Sequence, residues 1–93
     1  MNLFTVSGAY LADNALSTVI TGNNIETLEV TGDPTILADA TITYYYYAVG
    51  SEDEPAVLKD DTVLAAGSYK IYAVVTNMKN YNDFTTNVVD YVV

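Results

Sequence analysis

The chain has 93 residues, with 12 Asp plus Glu against 3 Lys plus Arg and a formal net charge of -9. It contains no Cys and no His, which excludes a disulfide scaffold, a thiolate metal site, a Cys nucleophile and the commonest general base. Three cations are too few for a phosphate-tracking surface or a basic lipid-binding helix, so neither nucleic acid nor a membrane surface is an expected partner.

Hydrophobic residues make up 51% of the chain, too many for a disordered acidic tail. The length fits one domain over residues 1–93. No apolar run approaches the roughly 20 residues that span a bilayer. The N-terminus, Met1-Asn2-Leu3-Phe4-Thr5-Val6, lacks the basic region and unbroken apolar stretch of a secretory signal. Two origins fit this start: a protein made and used without export, or a module cut from a longer secreted protein.

Helical signal is confined to Tyr10–Ile20, where Leu11, Ala12, Ala15, Leu16, Val19 and Ile20 fall at roughly helical spacing. The β-branched run Thr18-Val19-Ile20-Thr21 opposes it. The stretch is therefore one short helical turn at most, or equally a strand that ends at Ile20. Ile25–Thr31 reads as a strand with wet acids, broken by Gly32-Asp33-Pro34. Thr41–Val49 is the strongest strand, carrying four consecutive tyrosines. Gly50 to Pro55 ends it with a glycine, a charge run and a proline. Ala56-Val57-Leu58 and Thr62-Val63-Leu64 are short segments around the acidic turn Lys59-Asp60-Asp61. Ser68–Thr76 is a second strong strand, Asn77–Asp83 a polar hairpin loop and Thr85–Val93 a C-terminal strand. About seven strands at this spacing predict an all-β antiparallel sandwich or small barrel.

Alternation assigns the faces. Lys70 should not be buried unpaired, so Tyr69, Ile71, Ala73 and Val75 are expected in the core. Asp90 turns Val89, Tyr91 and Val93 inward by the same logic. On the tyrosine-rich strand Ile42, Tyr44, Tyr46 and Ala48 are expected inside. If the two strong strands are neighbours, Tyr45, Tyr47 and Tyr72 share an outer face with Val49 and Val74. Such a patch suits a protein contact, because aromatics are enriched at interfaces; the competing explanation is cross-strand pairing that merely steadies the sheet.

The segment Gly67-Ser68-Tyr69-Lys70-Ile71-Tyr72-Ala73 resembles the start of strand F in Ig-like sandwiches. Together with Asn80-Tyr81-Asn82 it is similar to bacterial Ig-like repeats of the Big and MBG type. The resemblance covers about the last half of the chain. It implies an Ig-like β-sandwich, a tyrosine corner at Tyr69 entered through Gly67, and an aromatic slot filled by Tyr44 or Tyr46. Such modules occur in bacterial surface proteins and on tailed-phage virions. It therefore implies a non-catalytic role as a virion surface protein, such as a capsid decoration or auxiliary subunit with a protein partner. The alternative setting is the bacterial cell surface or the extracellular space, where the module would be an adhesin, spacer or carbohydrate-binding repeat using its tyrosines on a glycan.

Other chemistry is thinly provided. The carboxylate pairs Glu52/Glu54 and Asp60/Asp61 sit in turns with no flanking apolar pocket, so neither looks like an acid–base pair. Glu52, Asp53, Glu54, Asp60 and Asp61 are weak calcium candidates, with Asp33 and Asp39 a weaker pair; no EF-hand spacing is present. Solvated loop charge accounts for them better. No cofactor is expected.

Overall fold

The computed structural model describes residues 11, 15–22, 24–52, 54–59, 62–78 and 81–93. The candidate residues Asp53, Asp60 and Asp61, and most of the 1–14 segment, lie outside that set. Seven strands are present among the described residues: β1 (Ser17–Val19), β2 (Glu29–Thr31), β3 (Thr41–Ala48), β4 (Ala56–Leu58), β5 (Ser68–Thr76), β6 (Phe84–Thr85) and β7 (Val89–Val92). They form two antiparallel sheets, one of β1 and β2 and one of five strands.

The larger sheet is organised by its two longest strands. β3 and β5 pair in unbroken register from Thr41↔Thr76 to Ala48↔Tyr69. β4 lies on the other side of β3, with Tyr45 opposite Val57. The chain must then pass from β4 back across β3 to reach β5, which places these elements in the order β4-β3-β5-β6 with β7 also on β5. β-branched and aromatic residues dominate both long strands, as suits a pleated, half-buried surface.

Expected and observed faces agree on β5. Ile71, Ala73 and Val75 are fully buried and Tyr69 nearly so. Directly opposite them on β3 stand Tyr46, Tyr44, Ile42 and Ala48, so these share the inner side. Leu16, Val75 and Met78 form the centre of the core, against which Val30, Ile36, Leu37, Ile42 and Phe84 pack. The small sheet and a one-turn helix, α1 (Pro34–Leu37), supply this cover.

Several local readings are corrected. Residues 15–20 hold no helical turn; the strand alternative is the one observed, ending at Val19. The expected strand over Ile25–Thr31 is a strand only from Glu29. Its first part is a 3-10 turn, Ile25–Thr27, because the Asn24 side chain accepts the Glu26 N–H at 3.0 Å and caps it. The segment Thr62-Val63-Leu64 is not a strand; Val63 is 92% exposed and gains nothing from pairing. α1 was not anticipated either. Asp33 accepts the Thr35 N–H at 2.8 Å and Pro34 occupies the first helical position, a start signal that the turn reading of Gly32-Asp33-Pro34 concealed.

A further correction concerns the C-terminal strand, which is broken rather than continuous. Val75↔Phe84 and Val74↔Thr85 set one register, while Ile71↔Val89 and Lys70↔Asp90 set another. Thr86, Asn87 and Val88 therefore face only Tyr72 and Ala73, a one-residue β-bulge. The bulge switches which parity points inward, so Phe84 and Thr86 before it and Val89 and Tyr91 after it all lie on the inner side. Val93, expected inside, is 47% exposed; it pairs with Gly67 at the end of the sheet, which offers no side chain to cover it.

The bulge also joins the two sheets. The Thr86 hydroxyl accepts the Ala73 N–H at 2.9 Å, and the Thr86 N–H donates to the Ala73 carbonyl at 2.8 Å. The Asn87 side chain then takes both backbone groups of Thr18. Its Oδ1 accepts the Thr18 N–H at 2.9 Å and its Nδ2 donates to the Thr18 carbonyl at 3.2 Å. Beside this clamp the buried Thr18 and Thr86 hydroxyls are hydrogen-bonded to each other. An amide side chain thus does for β1 what a neighbouring strand would do. At the end of the small sheet Gly32 lies beside Leu16, where a Cβ would meet Leu16 Cδ2 at 2.4 Å.

Candidate interaction surface

The inner side of the larger sheet is committed to the core, which leaves its outer side as the candidate contact surface. Alternation places Tyr45 and Tyr47 of β3 and Lys70, Tyr72 and Val74 of β5 there together. Register makes Tyr45 and Tyr72 direct cross-strand neighbours. Their rings stack with centroids 5.6 Å apart and planes 15° from parallel, within the separation at which aromatic pairs attract. Tyr47 stands opposite Lys70, and Val74 opposite Thr43. Val57 continues the Tyr45–Tyr72 row on β4, 40% exposed. Val49 extends the face past the end of β3 and is 55% exposed. Val92, opposite Ser68, is likewise 55% exposed.

The three tyrosines are half-buried by one another and by their neighbours. β1, β2 and α1 pack on the other side, so no described element lies over this face. Its charged side chains among the described residues are Lys70 and Asp90, which form an ion pair with each other. The face is therefore electrically balanced on a chain of net charge -9.

Titration behaviour follows from this packing. Burial, then the neighbouring Tyr45 and Tyr47, raise the Tyr72 phenol above its ordinary value. Burial, then the Glu29 charge, do the same for Tyr44 on the inner side. The Asp90 hydrogen bond, then its charge, raise Lys70. In all three cases the native chain holds its proton longer than the unfolded one. The native state then binds more protons above about pH 10, where free tyrosine ionises, so stability must fall as pH rises through that range. Urea unfolding at rising alkaline pH should show the midpoint constant below about pH 10 and decreasing above it; a midpoint that increases there contradicts these shifts.

The remaining candidates fall elsewhere. The Tyr69 hydroxyl donates to the Ala65 carbonyl at 2.6 Å, four residues upstream and at the start of β5. The ring packs edge-on against Tyr46, with centroids 6.2 Å apart. Gly67 reaches this corner with φ of +152°, and its N–H and carbonyl exchange bonds with Val93; a side chain at that φ is strained. Tyr69→Phe should therefore lower stability by about 1 kcal/mol with the β-sheet circular dichroism unchanged. An unaltered unfolding midpoint would show the hydroxyl bond to be idle.

Glu52 and Glu54 are exposed loop residues. Among the described residues no group of three carboxylates converges. Asp33 is occupied as the cap of α1, and Asp39 is exposed. Two open cavities flank the inner side near β4. One of about 410 Å³ has Ile25, Leu28, Tyr44 and Leu58 in its wall. The other, of about 220 Å³, lies between Tyr46, Tyr47, Glu54 and Tyr69. Sequence reading missed the first because it took Ile25–Thr27 for strand. It also missed Asn87 as the clamp between the sheets.

Comparison of the chain with protein-family models, curated proteins and solved structures returns no match.

Proposed function

We propose that this chain is a non-catalytic interaction module, an Ig-like β-sandwich that acts as a small virion surface protein and binds a protein partner. Tyr45, Tyr47 and Tyr72 are its contact residues, with Val49 and Val74 beside them. The observation that carries this reading is the stacked Tyr45–Tyr72 pair on a sheet face over which no described element lies. Large aromatics stacked in the middle of a sheet face and fringed by exposed valines have the composition of an interface centre. The Ig-like assignment draws support from two antiparallel sheets, from the β4-β3-β5-β6 order and from the Tyr69 hydroxyl bond at the start of β5. A chain without His or Cys offers little to catalysis.

The test is gradient sedimentation of particles from producing cells. The chain should co-sediment with assembled particles, and Tyr72→Asp should remain at the top of the gradient. Recovery of the chain only within a longer secreted polypeptide would replace the virion by a cell-surface setting. Co-sedimentation of Tyr72→Asp at the wild-type level would remove the tyrosine face from the account.

A further inference from the structure

The outer face differs in charge from the rest of the molecule. Twelve acids stand against three cations in the whole chain, yet on this face Lys70 and Asp90 balance each other. The ion pair does not use all of Asp90. Lys70 Nζ is bonded to Oδ1, and the Asp90 side chain is 75% exposed, so Oδ2 has acceptor capacity toward solvent. Asp90 stands directly opposite Lys70, and Lys70 is two residues from Tyr72 on β5. Diagonal neighbours of this kind lie roughly 7–8 Å apart, a span that one guanidinium covers while lying against a ring and bonding a carboxylate.

From this arrangement we infer that the partner's contact surface presents arginine side chains to the Tyr45–Tyr72 pair. The inference rests on the proposed contact face and names the chemistry of what covers it. In the stacked pair each ring has one face turned to its neighbour and one turned away. A guanidinium lies flat against such a turned-away face and donates in its own plane to Asp90 Oδ2. An ammonium has no plane to lay on the ring and is held more strongly by water, so lysine satisfies the site less well. The acidic surplus around the face then accelerates the approach of a basic partner. It also opposes a second copy of this chain, since each copy brings a net charge of -9.

The experiment compares an arginine homopeptide with a lysine homopeptide of equal length, titrated into the intact protein at near-physiological salt. Both share the non-specific attraction to an acidic chain, so only their ratio reports the site. The arginine peptide is expected to bind about fivefold more tightly. In Tyr45→Ser/Tyr72→Ser the ratio should fall to about one while lysine-peptide affinity stays unchanged. Tyrosine ring signals in NMR should shift at Tyr45 and Tyr72 with the arginine peptide. Equal affinities for the two peptides in the wild-type protein overturn the inference. So does an arginine preference that survives the double substitution. Equal peptide affinities, with Tyr72→Asp still lost from sedimenting particles, would retire arginine and leave the contact face standing.

Discussion

Asn87→Leu is expected to destabilise the protein by about 2–4 kcal/mol, a large loss for an exposed position. Thr18 is 2% exposed, and its N–H and carbonyl both end on the Asn87 amide. Leucine has the same branched heavy-atom skeleton but no polar atom, so it covers both groups and shuts water out. Each then suffers the full desolvation penalty of an unmade bond. Asn87→Ala removes the same bonds but opens room for water, and should cost only about 1–2 kcal/mol. Asn87→Asp keeps an acceptor for the Thr18 N–H and turns a carboxylate oxygen toward the Thr18 carbonyl, so it should fall between them or below. For a domain of this size about 3 kcal/mol corresponds to a drop of roughly 12–24 °C in Tm. Urea unfolding checks the order directly. A leucine variant with the wild-type midpoint would mean that packing and the Thr18–Thr86 bond hold the two sheets together without the Asn87 clamp.

Tyr72→Asp is expected to abolish partner association while leaving a cooperative fold. The substitution places a carboxylate in the centre of a surface that the partner must dehydrate, and removes the ring that Tyr45 stacks against. Truncating a residue at an interface centre commonly weakens binding by about 30-fold or more; adding an unpaired charge increases that figure. The fold should lose only about 1 kcal/mol, because the side chain sits on the outer side of β5 and contributes one cross-strand pair. Thermal unfolding with a single transition, alongside loss of co-sedimentation, separates a contact role from a structural one. Loss of binding together with loss of the unfolding transition would assign Tyr72 to stability instead.

Much of the fold was legible because β3 and β5 are long and strongly patterned. Period-2 alternation around Lys70 fixed the inner set of β5, and register then carried the same division across to β3. The outer tyrosine face was legible for the same reason: once two strands are neighbours, Tyr45 and Tyr72 must share a side. Short elements were not, since Ile25–Thr27 and Pro34–Leu37 are decided by one capping side chain each, Asn24 and Asp33. The β-bulge left a trace that went unread. Phe84 and Tyr91 are both large and aromatic but lie an odd number of positions apart, so an unbroken strand cannot turn both inward. Only an inserted residue reconciles them. Asn87 was concealed by its type, because asparagine among threonines reads as turn chemistry rather than as a substitute strand edge. No pattern in a single sequence pairs it with Thr18, 69 positions away.

The most direct measurement of the central claim is tyrosine-directed chemical footprinting of the chain, free and partner-bound, read residue by residue by mass spectrometry. Tyr45, Tyr47 and Tyr72 should react in the free chain and become protected together on binding. Tyr81, in the loop between β5 and β6, should label equally in both states. Protection confined to Tyr81 or to the inner tyrosines, with the outer three still reactive in the complex, would contradict the account.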